Sequence, residues 1–240
     1  MKRFHEKNPL MFALVCIGVY VVAFSLADGV SAQLGVEKLI TVPVAAAMTL
    51  ALVAFIFRNG LQELCGLGKP RFSWGKYLYF LPLLLLASTN LWQGICPRYG
   101  VLETVLYILS MIGVGILEEI IFRGFLFTAL RTENLKRAVI ISSLTFGIGH
   151  IVNLLNGAQL LPTLLQLVYA TAAGFLFTVI FLRSGSLLPC IAAHCLVNSL
   201  SVFSAEGNTG WDLAAAAFLT VVSVLYALWI LKKVPEYQEK

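Results

Sequence analysis

Long apolar runs separated by short polar connections dominate this chain. They fall at 10–27, 39–57, 77–92, 101–130, 138–155, 161–182, 187–203 and 212–231. A helix that crosses a bilayer needs about 20 mostly apolar residues. A segment in lipid must also satisfy its own backbone hydrogen bonds, which an α-helix does. The pattern therefore predicts an all-α, polytopic transmembrane bundle of about eight spans. No repeat, linker or low-complexity segment breaks the series, so one integral membrane domain over 1–240 is expected.

Composition agrees. The chain is 59% hydrophobic and 12% charged, whereas an ordinary soluble domain is about 45–50% apolar and about 25% charged. The net charge of +5 sits in short loops rather than in one basic patch, which points to membrane topology and excludes a nucleic-acid partner. With the N-terminus inside, the inner segments hold Lys2, Arg3, Lys7, Arg58, Lys69, Arg71, Lys76, Arg131, Lys136, Arg137, Arg183, Lys232, Lys233 and Lys240. The outer ones hold only Lys38 and Arg98, and Arg123 is left inside a span. Cytoplasmic loops attract Lys and Arg, so 14 against 2 places both termini in the cytoplasm. The 58–76 loop, with Gly66, Gly68, Pro70 and Trp74 ahead of Tyr77, is expected to lie along the inner interface.

The first run is longer than the roughly 7–15-residue core of a signal peptide, so an uncleaved anchor is expected despite Val30-Ser31-Ala32. The five cysteines (Cys16, Cys65, Cys96, Cys190, Cys195) form no C-x-x-C pair and imply neither a disulfide framework nor a cysteine-based metal site. His5 lies in a segment expected to be exposed and without a role.

Ionisable groups inside a span are costly and suggest function by default. Here they are concentrated: Glu118, Glu119 and Arg123 in the fourth span, His150 in the fifth and His194 in the seventh, with Asn153 and Asn198 beside the histidines. Spans one, two, three, six and eight carry no comparable group at their centres. Glu118 is 13 residues from Arg131, His150 is 13 from Arg137, and His194 is 11 from Arg183. At 1.5 Å per residue these are about 20, 20 and 17 Å. One polar level results, in the inner half of the membrane or near its middle.

Helical phase separates the two glutamates by about 100°. Glu119 and Arg123 are spaced i,i+4 with the acid first, which suits a buried ion pair, with direct substrate contact as the alternative. Glu118 then has no partner on its own helix and needs a histidine, water or substrate. Gly113, Gly115, Gly147, Gly149, Ala192 and Ala193 near these positions allow either close packing or a water-filled pocket.

The residues spell E-E-x-x-x-R at Glu118–Arg123, F-x-x-x-H at Phe146–His150 and H-x-x-x-N at His194–Asn198. In this order, 110–200 resembles the CAAX-protease and bacteriocin-processing family of intramembrane endopeptidases, which includes type II CAAX prenyl endopeptidases. The first 100 residues are similar only in being spans, and no motif position departs from the family pattern. The resemblance implies hydrolysis of a peptide bond in a membrane-associated, prenylated or leader-peptide substrate. Glu118 and His150 would activate water, and His194 and Asn198 would stabilise the oxyanion. Glu119, Arg123 and Asn153 would support them.

No cofactor is expected. The alternative is zinc on Glu118, His150 and His194, a three-ligand set of catalytic type. A non-enzymatic membrane scaffold or regulator of the same fold and a proton-coupled transporter are the competing classes. The expected partners are a peptide or protein substrate and the lipid bilayer. The expected location is an integral, multi-pass position, with a bacterial cell membrane as the reading.

Overall fold

The computed structural model describes residues 1–68, 80–205 and 207–235. They form helices α1 (Lys2–Lys7), α2 (Pro9–Gln33), α3 (Thr41–Arg58), α4 (Pro82–Ser88), α5 (Val101–Glu119), α6 (Thr128–Arg131), α7 (Leu135–Gly149), α8 (Val152–Leu155), α9 (Leu160–Ser184), α10 (Leu188–Leu200) and α11 (Thr209–Lys233). The fold is all-helical among the described residues, with one isolated bridge between Ile95 and Ser204.

Helix boundaries follow local chemistry. Pro9, Pro82 and Pro189 stand in the first turns of α2, α4 and α10, where a missing N–H costs nothing. The side-chain oxygens of Asn134 and Asn208 accept from the Arg137 and Trp211 N–H groups and start α7 and α11. Gly185 ends α9 at φ +65°, a conformation without penalty for glycine.

Six helices are long and apolar enough to cross a membrane: Pro9–Gln33, Thr41–Arg58, Val101–Arg131, Leu135–Leu155, Leu160–Ser184 and Thr209–Lys233. The remaining two apolar runs make shorter helices, Pro82–Leu91 and Leu188–Phe203. Proline opens each one, and each closes in a tight 3₁₀ turn. Of the roughly eight runs expected to span, six form helices of crossing length and two form shorter helices among the described residues. The expected interfacial stretch 58–76 lies outside the described residues from 69 onward, as do 77–79 of the third run.

Helix α9 packs between α7 and α11, and α5 packs between α3 and α10. Outward faces are apolar, as at Leu14, Val22, Leu26, Leu50, Leu144, Val221 and Leu225, which suits lipid. Phe12 stacks on Phe55, and Phe125 meets both edge-on, with centroids 5.2–6.3 Å apart. His5 joins them at 5.2–6.0 Å and so packs into the bundle, unlike the exposed position expected for it. Burial lowers its pKa, and Glu6 opposes that shift.

Between α5 and α6 the long fourth helix widens to π geometry over Ile120–Phe127, and every residue there is buried. Wider winding leaves carbonyls to be satisfied by other groups. The Ser142 hydroxyl donates to the Phe122 carbonyl at 3.0 Å, the Cys65 thiol to the Gly124 carbonyl at 3.6 Å, and the Thr128 hydroxyl to the Gly124 and Phe125 carbonyls.

Candidate active site

The site assembles where α5, α7 and α10 meet beside α2. Helix α5 carries Glu118 and Glu119 at its end, immediately before the π segment. Helix α10 lies along α5 because Gly115 leaves no room for more: a Cβ there would stand 2.7 Å from the Cys195 sulfur. Gly113 faces Ala45 in the same manner, and a Cβ on Gly147 would collide with Thr171. These three glycines serve close packing. Gly149 has only Phe122 nearby, at ordinary contact distance.

His194 stands between the two glutamates. Its Nδ1 is 2.9 Å from Glu119 Oε1, and its Nε2 is 3.6 Å from Glu118 Oε2. Phase does turn the two carboxylates apart, and an imidazole with nitrogens on both edges meets both. A carboxylate oxygen only accepts, so Nδ1–H donates to Glu119 and Nε2 is the nitrogen turned toward Glu118. Glu119 Oε1 also accepts from Arg123 Nη1 at 2.9 Å, and both side chains are fully buried. Arg123 donates further to the Gly174 carbonyl at 3.2 Å and lies 4.1 Å from the Phe146 ring centroid. The brace between Glu119 and Arg123 thus extends to a histidine, and neither of its residues lines the cavity described below.

Glu118 finds a partner that the sequence does not suggest. The Tyr20 hydroxyl of α2 donates to Glu118 Oε1 at 2.7 Å. Among the described residues Glu118 Oε2 has no hydrogen-bond partner, and it lies 3.6 Å from His194 Nε2. Tyr20 belongs to a buried stripe along α2 (Phe12, Tyr20, Phe24, Ala27, Ser31) with mostly four-residue spacing. That spacing is the signal that could have found it.

His150 sits at the C-cap of α7, at a break before α8, and not inside a continuous helix. Its Nδ1–H donates to the Phe146 carbonyl at 3.0 Å, which leaves the Nε2 lone pair free in the neutral ring. Phe146 also places its ring edge-on to both His150 and His194, at 5.3 and 5.6 Å. Asn153 donates to Gln166 Oε1 at 2.9 Å, a partner on α9 absent from the sequence reading. The side-chain amide of Asn198 has no hydrogen-bond partner among the described residues.

Glu118, His150, His194, Asn153 and Asn198 all line one cavity of about 420 Å³, within the roughly 300–1,000 Å³ typical of ligand sites. Among the described residues no group of three His, Cys, Asp or Glu side chains is placed to hold a metal ion. Glu118, His150 and His194 share the cavity.

No curated protein and no solved structure matches this chain. A family model described as type II CAAX prenyl endopeptidase Rce1-like matches residues 100–200 and takes in all three motifs, and over that segment the chain carries the signature of this family.

Proposed function

We propose that this chain is an intramembrane endopeptidase. It crosses the bilayer eight times with both termini in the cytoplasm, and it hydrolyses a peptide bond without a metal. The observation that carries the reading is the unpaired Glu118 oxygen facing His194 Nε2 across 3.6 Å at the closed end of a cavity. Amide hydrolysis needs a base, a water and donors aimed at the developing oxyanion. Glu118 Oε2 takes a proton from water that His150 Nε2 also holds, and the resulting hydroxide adds to the carbonyl carbon. The oxyanion accepts from His194 Nε2–H and from the Asn198 amide. Donation from Nε2 requires both ring protons, with the other hydrogen bond held by Glu119. The tetrahedral intermediate then expels the amine as Glu118 returns the proton. Asn198, one turn after His194 and lining the same cavity, suits an oxyanion donor better than a metal ligand and favours this route over zinc.

The test compares membrane-associated peptides in cells carrying the wild type and Glu118→Gln. The amide keeps the side chain's size but cannot act as a base. Cleavage products should disappear while abundance and thermal stability in detergent stay within about 1 kcal/mol, the usual scale for a conservative change. Unchanged peptide inventories with a well-expressed Glu118→Gln protein would remove the assignment. Purified enzyme should also keep its activity through chelation and dialysis. Near-stoichiometric zinc whose removal stops turnover would replace the mechanism and leave the protease intact.

A further inference from the structure

Among the described residues the cavity ends on buried side chains at one side and reaches exposed residues at the other. Its floor is aromatic, formed by Phe122, Phe146 and Phe177, each at most 6% exposed. Below the floor lie Phe125, Phe127, Leu126 and Leu187, all at 0–1% exposure. Among the described residues, no lining residue comes from 59–68, 132–134 or 185–187. From the floor the lining runs the other way, to Asn90, Tyr107, Gln166, Asp28, Lys38 and the exposed Asn156. Lys38 and Asn156 belong to the connections 34–40 and 156–159, and Asp28 and Asn90 lie near the ends of helices that lead into 34–40 and 92–100. Tyr107 and Gln166 lie about two turns inside helices that start from 92–100 and 156–159. The closed end carries Arg58, Arg131, Lys136, Arg137 and Arg183, and the open end carries only Lys38 and Arg98. The sequence places the polar level in the inner half of the membrane or near its middle. The hollow extends from that level only away from the cationic loops.

We propose that the active-site cavity opens to the extracytoplasmic face, and that its substrate is an uncharged peptide segment presented from that side. This rests on the protease reading above. Lys and Arg mark the cytoplasmic ends of spans, so the sealed end is cytoplasmic and the mouth is not. A cytosolic peptide tail would have to pass the fully buried layer to reach Glu118. The mouth also fits the chemistry. Its one ion pair, Lys38 with Asp28 at 2.9 Å, is self-neutralising, and the Thr41 hydroxyl occupies the second Asp28 oxygen. The remaining polar lining is mainly amide and hydroxyl, suited to the backbone of an extended peptide, and the floor is apolar.

The experiment is sided labelling. Asn156→Cys and, separately, Lys136→Cys are placed in a chain whose native cysteines are replaced by serine. Right-side-out and inside-out membrane vesicles are then treated with a membrane-impermeant polyethylene-glycol maleimide. Asn156→Cys should label only in right-side-out vesicles and Lys136→Cys only in inside-out ones. The reverse pattern, labelling of both from one side, or an unreactive Asn156→Cys would each overturn the proposal. On intact cells the same reagent should stop formation of those peptides that depend on Glu118. Continued cleavage with a fully modified Asn156→Cys would likewise count against the mouth. If Glu118→Gln changes no peptide, the protease reading fails, and the labelling still decides which way the cavity faces.

Discussion

Toward the Arg131 and Arg183 helix ends the bundle below His194 is solid, and toward Asn156 and Lys38 it is hollow. The solid part is organised by Glu119, Arg123 and the π segment, whose polar groups are turned inward on one another. The hollow part is organised by Glu118, His150 and Asn198, whose polar groups are left wholly or partly unpaired. Two glutamates adjacent in sequence fall on opposite sides of this divide. Burial alone therefore does not decide what a membrane carboxylate is for, because both are buried or nearly so: side-chain exposure is 0% for Glu119 and 12% for Glu118. What separates them is whether an arginine consumes the charge.

The sharpest way to break the comparison is to move a charge in the solid half. Arg123→Ala leaves Glu119 buried without its cation and should cost about 3–5 kcal/mol. The readout is low abundance and early unfolding in detergent. Glu119→Leu combined with Arg123→Met, which removes both charges, should recover much of that stability and still lack activity, because His194 Nδ1 has lost its acceptor. An active double variant would show that Glu119 has no part in orienting His194.

In the hollow half, Asn198→Ala should lower kcat by about 10²–10³ with little change in KM, the magnitude for one oxyanion donor. Stability should hold, since the amide lines the cavity without a hydrogen-bond partner among the described residues. A fall in thermal stability with unchanged kcat would move Asn198 to the structural side. Rescue by added zinc would instead assign it to supporting a metal ligand, whose loss costs about 10–100-fold in affinity.

The smallest effect belongs to Tyr20→Phe, which removes one hydrogen bond to Glu118. A bond to a charged group contributes about 1.5–3 kcal/mol, so kcat should fall roughly 10- to 100-fold if Tyr20 positions the carboxylate. KM and folding should change little, because the ring remains packed on Phe24 at 4.7 Å. Full activity in Tyr20→Phe would leave Glu118 positioned by its own helix.

Much of the arrangement was legible because ionisable groups in apolar runs are anomalies. Glu118, Glu119, Arg123, His150 and His194 declared themselves by type, and their distances from the loops put them at one level. Tyr20 did not, since a tyrosine in a hydrophobic span is ordinary and its partner lies 98 residues away. Gln166 was hidden for the same reason, near one end of an apolar run. The break at His150 was also invisible, because Val152–Leu155 continues the hydrophobic pattern and only backbone geometry separates it from α7. Two of the eight apolar runs form helices shorter than a full crossing among the described residues, Pro82–Leu91 and Leu188–Phe203. Hydropathy measures how apolar a run is, whereas Pro82 and Pro189 set where helix can begin.

The π segment gives the chain an unequal tolerance to insertions and deletions. Over Ile120–Phe127 the backbone winds more loosely than an α-helix, so the residues before and after it are locked in a phase that regular winding would not produce. Dropping one residue there would let the turn tighten and rotate Glu118 by about 100° relative to Thr128 and beyond. The glutamate would leave both Tyr20 and His194, although every motif letter was still present. The same loss in the exposed turn at 132–134 would shift no catalytic group relative to another. The reading frame of this helix is therefore as constrained as its side chains.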